Sequence, residues 1–180
     1  MIAAAETCFR ELGYRGTTIQ RVAERAEVPV GNVYYYFRTK EHFAAAVIET
    51  RRAHFEAHVQ AHMDKSDALE SFVRWQLSRP NQIANHGLEL YTLVRDLIAE
   101  GVSVDVIAAA RKLAEDHERY LRELVQASIV DEESPKRAER LADWLCQNIV
   151  GIATRSHLLG VADAQDRCED LLAQLRARMR

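Results

Sequence analysis

Apolar side chains recur at helical spacing along almost the whole chain, and no segment shows the alternation typical of a β-strand. Only 7 glycines and 3 prolines occur among 180 residues, and periodic segments end at Gly13, Pro80, Gly101 and Gly160. The predicted helices span 1–12, 17–25, 29–36, 40–62, 67–79, 81–100, 103–130, 135–159 and 163–178. We therefore expect an all-α fold of about nine helices, three short ones followed by six longer ones.

The composition excludes several classes of protein. No apolar run approaches the ~18 residues that a membrane span needs, and the first residues lack the basic and long apolar regions of a secretory signal. The three cysteines, Cys8, Cys146 and Cys168, are far apart and have no metal-binding spacing. We therefore expect a cytoplasmic protein with reduced thiols and no membrane partner.

The charge is distributed unevenly along the chain. Residues 1–52 hold eight Lys and Arg against six Asp and Glu, a balance of +2, whereas residues 53–180 hold 16 against 21, a balance of −5. This asymmetry indicates a weakly basic N-terminal module followed by an acidic larger part of the chain. The change from short to long helices falls nearby, and we expect one domain over 1–45 and a second over 46–180.

The second and third predicted helices, 17–25 and 29–36, are short and separated by a tight turn, which are the proportions of a helix-turn-helix unit. In such a unit the first helix crosses the phosphate backbone and the second lies in the major groove. The leading end of the second helix carries Val30, Gly31 and Asn32, which are small or polar enough to approach base edges closely.

Three consecutive tyrosines, 34–36, follow on the same predicted helix. Successive helical residues lie ~100° apart, so one or two of these rings must project outward. We expect Val33, Phe37 and part of Tyr35 to face the core, and Tyr34 and Tyr36 to face outward. A phenol at a groove edge can donate to a phosphate oxygen without adding charge.

Five short motifs follow one another at fixed spacing near the N-terminus. They are FRELGY at 9–14, TTI at 17–19, VAERA at 22–26, VPVGNVYYYF at 28–37 and KE at 40–41. Together they resemble the N-terminal DNA-binding domain of TetR/AcrR-type transcriptional regulators. The resemblance covers about residues 1–50, and the rest of the chain resembles the family only in being all-helical and of the right length.

The resemblance implies phosphate contacts at three places. Thr17 or Thr18 would meet a phosphate at the start of the second helix, and Tyr34 matches the family's phosphate-binding tyrosine. Lys40 would hold a phosphate at the N-terminus of the fourth helix, aided by the helix dipole.

The resemblance also implies contacts with bases. Gln20 could reach a base from the second helix, and Val30, Gly31 and Asn32 lie where the family reads bases. Asn32 is the best candidate for an adenine-type contact. Tyr36 occupies a position often used for either a base or a phosphate.

The chain departs from the family pattern in the turn. Glu27 stands where family turns usually carry glycine, and Pro29 stands in place of a serine cap. We expect Glu27 to adopt a mildly strained left-handed conformation and its charge to repel phosphate. We also expect the short basic arm that usually precedes the first helix to be absent, which would lower non-specific affinity for DNA.

One helix-turn-helix reads only a few base pairs, so specific binding normally takes two copies held ~34–36 Å apart. Apolar stripes on the last two predicted helices could form a four-helix dimer interface, which resembles the usual family arrangement. The candidate interface residues are Leu141, Leu145, Ile149, Ile152, Leu171, Leu172 and Leu175. The alternative is that these stripes face only their own core.

The middle helices mix aromatic bodies with polar tips, the usual makeup of a small-molecule site. The candidate effector-pocket residues are Phe72, Trp75, Gln76, His86, Tyr91, Arg95, His117, Tyr120, Trp144 and Asn148. Arg95 would pair either with an anionic ligand or with a carboxylate such as Glu89 or Asp96.

His54, His58 and His62 recur every four residues and so share one helical face. Such spacing can chelate a metal, and the face could instead line an effector cavity, but a solvated face is the better interpretation, and we expect neither a metal nor a cofactor. The familiar nucleophile, phosphate-loop and zinc-protease motifs are absent from the sequence, so we do not expect an enzyme.

The sequence therefore predicts an N-terminal three-helix domain with a helix-turn-helix, followed by a larger helical domain for effector binding and dimerisation. The predicted function is a homodimeric transcriptional regulator, a repressor that an unknown small-molecule effector releases from double-stranded operator DNA. The alternative is a helical ligand- or metal-binding protein whose vestigial helix-turn-helix does not bind DNA.

Overall fold

The computed structural model describes residues 1–63, 65–77, 86–129, 135–159 and 164–179. Every regular element within these ranges is a helix, as the periodicity predicts. The helices are α1 Ile2–Gly16, α2 Ile19–Arg25, α3 Val30–Tyr36, α4 Lys40–His62, α5 Ala68–Gln76, α6 His86–Ala99, α7 Val104–Ser128, α8 Pro135–Leu159 and α9 Ala164–Met179. The prediction of an all-α fold with about nine helices is confirmed.

Two predicted helix ends are wrong. The first helix does not stop at Gly13 but bends there, with φ 67° and ψ 172°, and runs on to Gly16. This left-handed φ favours glycine, and a Cβ at this position would also lie 3.3 Å from Oδ2 of Asp96. The fifth helix ends at Gln76, before the predicted 79.

Side-chain caps set the starts of α2 and α4, as their sequences indicate. The N–H of Arg21 donates to Oγ1 of Thr18 at 3.2 Å, and the N–H of His42 donates to Oγ1 of Thr39 at the same distance. These bonds satisfy amide groups that have no partner within their helix. Pro29 serves as the N-cap of α3 rather than as its first helical residue.

The chain divides into two compact units. Unit 1 comprises Met1–His54 with Glu89–Ala114, and unit 2 comprises Phe55–Leu88 with Glu115–Arg180. The fully buried side chains of unit 1 include Val22, Val33, Phe43, Val47, Ile48, Leu97 and Leu113, and those of unit 2 include Phe72, Leu145, Leu172 and Leu175. The assignment of separate roles to 1–45 and 46–180 remains a prediction.

The apolar stripes of α8 and α9 pack inside unit 2, where these two helices contact each other. Among the residues predicted for a dimer interface, only Ile152 is partly exposed. The others are buried in the single chain: Leu141, Leu145, Ile149, Leu171, Leu172 and Leu175. These six side chains are thus covered within one chain, as the alternative expects, and a dimer interface on α8 and α9 stays a prediction. An apolar stripe shows that a face is covered but not whether the same chain or a second copy covers it.

We expect Glu27→Gly to raise the free energy of unfolding by about 0.5–1 kcal/mol. Glu27 has φ 55°, and this conformation costs an L-residue roughly 1–2 kcal/mol. Glycine removes that cost, but its unfolded chain has more conformational entropy, which offsets part of the gain. Glu24→Gly is the matched control. That neighbouring exposed residue is helical, so the same change should cost about 0.5–1 kcal/mol there. Urea denaturation measures both, and equal effects would contradict the strain.

Candidate functional site

The turn between α2 and α3 is closed by two backbone hydrogen bonds. The N–H of Val28 donates to the carbonyl of Ala23, and the N–H of Glu27 donates to that of Glu24, both at 3.1 Å. This pair of bonds is the Schellman arrangement, in which the residue after the C-cap takes a left-handed conformation. Glu27 does so with φ 55°, as predicted. The turn holds α3 packed against α2.

The buried and exposed faces of α3 are sharply separated. Val33 is completely buried, and Phe37 stacks on Phe43 with ring centroids 4.1 Å apart. The leading residues, Val30, Gly31 and Asn32, are all exposed. The helix therefore presents its small, polar beginning to the outside and anchors itself through one face.

The three tyrosines of α3 all project outward. Tyr34 is 50%, Tyr35 80% and Tyr36 64% exposed, and the rings of Tyr35 and Tyr36 meet edge to face at 4.9 Å. The expectation that part of Tyr35 faces the core is wrong. Residues two apart on a helix point ~200° apart, so the burial of Val33 turns Tyr35 to the opposite side.

Thr17 and Thr18, alternatives in the sequence, have different environments. Thr17 is buried, and its Oγ1 donates to the carbonyl of Gly13 at 2.8 Å. This hydroxyl closes the end of α1 and is not presented at the surface, which corrects the expectation for Thr17. Thr18 is exposed at the N-cap of α2, as is Gln20 within that helix.

Lys40 has a partner within the protein, and its predicted contact with a phosphate stays a prediction. Its Nζ donates to the carbonyl of Tyr14 at 2.7 Å and lies 4.2 Å from the centroid of the Tyr14 ring. Burial lowers the pKa of Lys40, and Glu100 opposes that shift. Burial, followed by Glu41 and Glu100, raises the pKa of the Tyr14 hydroxyl to about 12. The ammonium group thus connects α1 to α4.

Sequence reasoning missed Arg38, which follows α3 and is exposed. Its cationic side chain lies two residues after Tyr36 in the chain. A basic residue next to an exposed recognition helix is the signal that could have identified it. Tyr35 was missed as an outward residue for the geometric reason given above.

Unit 2 contains a cluster of rings, here called the aromatic cluster, centred on Phe55 and Phe72. Four of the predicted pocket residues, Phe72, Trp75, His117 and Tyr120, lie in it with Gln76, whose Nε2 is 3.2 Å from Nδ1 of His117. Phe55 lies 4.3 Å from His117 and 5.9 Å from Tyr120, measured between ring centroids. Phe72 lies 5.6 Å from Trp75 and 5.1 Å from Tyr120.

The cluster also includes Phe55, which the sequence did not single out for a pocket, and His58 of the histidine face. Phe55 contacts four of its rings, and His58 stacks on Trp75 at 4.6 Å. Both are on α4, whereas Phe72 and Trp75 are on α5 and Tyr120 is on α7. Only the tertiary structure brings these three helices together.

The other predicted pocket residues have different neighbours. Arg95 is in unit 1, where its Nη2 donates to Oδ1 of Asp96 at 2.7 Å. Of the two partners expected for Arg95, an anionic ligand or a carboxylate, the structure shows the carboxylate. Trp144 lies under the guanidinium of Arg178 at 4.4 Å, and Nδ2 of Asn148 donates to the Trp144 carbonyl at 2.8 Å. The side chains of His86 and Tyr91 lie outside the described residues.

The histidine face and the cysteines show no reactive site. His58 and His62 stack at 4.3 Å, and within the described ranges no group of three or more His, Cys, Asp or Glu side chains could hold a metal ion. Burial raises the pKa of the Cys8 and Cys168 thiols, and it raises that of Cys146 to about 11. Such thiols are poor nucleophiles at neutral pH. None of the described helices is both long and apolar enough to cross a membrane.

Comparison with known proteins gives matches of two kinds. Residues 1–47 match the model of the tetR family of bacterial regulatory proteins. The HTH-type transcriptional repressor NemR of Escherichia coli strain K12 is 26% identical over 102 residues, which are 56% of this chain and 51% of that protein. The chain thus matches about half the length of this relative.

Solved structures extend the likeness over almost the whole chain. The regulatory protein TetR from Rhodobacter sphaeroides has a TM-score of 0.70 and 24% identity, covering 98% of this chain and 95% of that one. A putative regulator from Saccharomonospora viridis, solved in complex with choline, has a TM-score of 0.70 and 14% identity, covering 98% and 91%. At these identities the likeness shows the fold.

Proposed function

We propose that the chain is a sequence-specific DNA-binding transcriptional regulator of the TetR family, because residues 1–47 match the model of that family and the helical fold matches that of a solved TetR-type regulator. In this proposal it is a cytoplasmic repressor that a small-molecule effector releases from its operator. The match to a repressor of the same family supports the direction of regulation.

The outward face of α3 is the observation on which this proposal rests. A seven-residue helix is held by a tight turn to α2 and exposes Gly31 and Asn32 at its start, with tyrosines behind them. An α-helix fits the major groove, and a small residue at the leading end lets the backbone approach the base edges. The proposed DNA-contacting residues are Thr18, Gln20, Val30, Gly31, Asn32, Tyr34, Tyr35, Tyr36 and Arg38.

We propose that the protein binds DNA as a homodimer, since two recognition helices are needed to read two half-sites. The inward apolar stripes of α8 and α9 are occupied within one chain, so the contact would use the opposite faces of these helices. Exposed residues there are Arg140, Gln147, Gly151, Asp170, Ala173 and Ala177. Burial of these side chains on dimerisation is a testable consequence.

The release mechanism is a shift between two dimer geometries. An effector that binds one geometry better than the other changes the population of each by its differential affinity. Helix α4, Lys40–His62, begins in unit 1 and continues into unit 2. It is therefore the proposed connection between the ligand and the recognition helix. The choline complex of a protein with the same fold supports a small molecule as the class of effector.

Selection of bound sites from random duplex DNA, followed by salt titration, tests the DNA-binding function. We expect Tyr34→Phe to weaken all sites about equally, by roughly 2- to 10-fold, because one hydrogen bond to a phosphate is lost. Asn32→Ala should instead relax preference at one position in each half-site, at a cost of about 1–3 kcal/mol.

Gln60→Ala is the control, since it removes an exposed amide of α4 and should leave affinity and sequence preference unchanged. A parent protein that selects no preferred palindrome, or whose affinity is insensitive to salt, would show that the helix-turn-helix does not act as a DNA reader.

A further inference from the structure

The aromatic cluster of unit 2 contains buried polar atoms that have no hydrogen-bond partner among the described residues. They are Oε1 of Gln76, the hydroxyl of Tyr120 and Nε2 of His58. Gln76 is only 5% and Tyr120 only 9% exposed. Leaving such an atom unpaired costs about 1–3 kcal/mol, and native proteins rarely tolerate several together without a reason.

These polar atoms lie among rings rather than among aliphatic side chains. Phe72 is completely buried and contacts His58, Trp75 and Tyr120 with centroid separations of 5.8, 5.6 and 5.1 Å. Aromatic faces and edges favour a planar aromatic guest through offset stacking and edge-to-face contact. The rings of the cluster thus favour a planar aromatic guest, and the unpaired polar atoms favour a guest that carries hydrogen-bonding groups.

The amide of Gln76 has one end already engaged. Its Nε2 donates to Nδ1 of His117 at 3.2 Å when the ring proton is on Nε2. The carbonyl end then remains as an acceptor. The Tyr120 hydroxyl can both donate and accept. A guest that donates to Gln76 and accepts from Tyr120 would satisfy both.

The cluster contains no lysine, arginine, aspartate or glutamate side chain. Burial, then His62 and Lys65, lowers the pKa of His58 to about 4, so its ring stays neutral. Charged residues outside the cluster, Lys65 and Glu123, are exposed. A charged guest would lose its hydration and would meet no lysine, arginine or carboxylate side chain among the cluster residues, which is costly in a buried site.

We propose that the aromatic cluster binds a neutral, planar aromatic molecule whose polar edge both donates and accepts a hydrogen bond, as a phenol does. This molecule would be the effector of the proposed regulator. Its effect on DNA binding therefore rests on the proposed function, whereas its binding to the cluster does not. Gln76 and Tyr120 recognise the polar edge, and Phe55, Phe72 and Trp75 hold the ring.

The test uses 2-naphthol as the probe, with naphthalene and 2-naphthoate as matched controls that lack the hydroxyl or carry a charge. The protein has 2 tryptophans, so all variants are made in a Trp144→Phe background, which leaves Trp75 as the reporter. We expect 2-naphthol to quench the emission of Trp75 saturably. Naphthalene should bind at least about threefold more weakly, because it lacks the hydrogen bond. 2-Naphthoate should show no saturable binding.

Tyr120→Phe in the same background should weaken 2-naphthol binding about 3- to 10-fold and leave naphthalene binding unchanged, because it removes only the hydroxyl. Gln126→Ala, at an exposed position of the same helix α7, is the control and should change neither. Helical circular dichroism confirms folding of each variant. Equal binding of 2-naphthol and naphthalene, equal loss of both in Tyr120→Phe, or no binding of either probe would overturn the proposal.

The measurement needs no DNA, so its outcome is independent of the DNA-binding function. If the protein selects a DNA site but binds none of the probes, only the proposed class of ligand is rejected. Probe binding by a protein that selects no DNA site would reject the regulator and keep the ligand site.

Discussion

We expect Gly31→Glu to leave the protein folded and to lower its affinity for operator DNA about 100-fold or more, since like charges brought together at an interface cost several kcal/mol. A Cβ added at Gly31 has no atom within 4 Å, so the fold accommodates the side chain. Replacing a helical glycine also lowers the entropy lost on folding, so stability should rise by about 0.5–1 kcal/mol. On DNA, however, the carboxylate would stand where α3 approaches the groove most closely.

Two measurements check this expectation: urea denaturation for stability, and fluorescence anisotropy with a selected operator for affinity. Ala57→Glu adds the same charge at an exposed position of α4 and should reduce affinity far less. Undiminished DNA binding by Gly31→Glu would show that this end of α3 does not enter the groove. Loss of both stability and binding would contradict the open space seen beside Gly31.

Phe72→Ala lowers the free energy of unfolding by about 3–5 kcal/mol, the cost of removing a buried phenyl ring together with that of the cavity left behind. Phe72 is completely buried and contacts several rings of the aromatic cluster. Because domains are stable by only about 5–15 kcal/mol, this single change removes a large part of the total. Urea denaturation followed by circular dichroism measures it.

Tyr35→Ala is the matched truncation at an exposed ring and should stay within about 0.5 kcal/mol of the parent, as surface substitutions usually do. Phe72→Leu keeps most of the volume and should cost clearly less than Phe72→Ala. Similar losses in Tyr35→Ala and Phe72→Ala would contradict the burial of Phe72.

The helix-turn-helix could be predicted in detail because its determinants are local. Thr18 and Thr39 cap their helices, and the chain turns back at Glu27 with a positive φ. Each of these features depends on a few neighbouring residues and their backbone angles. The outward position of Gly31 and Asn32 follows from the burial of Val33 on the same short helix.

The roles of Thr17 and Lys40 could not be predicted in this way. Both are polar residues at helix ends, where a phosphate and a protein carbonyl are equally good partners. The structure gives them the carbonyls of Gly13 and Tyr14. Lys40 and Tyr14 are 26 positions apart in the chain, so only folding brings them together.

The order of residues was enough to specify the helices of the described ranges, the Thr18 and Thr39 caps and the exposed start of α3. Hydrogen bonding within a helix and burial of one face act over a few residues. Folding alone settled what each apolar face meets. Leu145 and Leu172 are covered within their own chain, and Phe55 joins Phe72 and Tyr120 from a different helix. The reason is that the hydrophobic effect is non-directional and favours burial against any apolar surface. The apolar pattern of a helix therefore does not determine which helix packs against it.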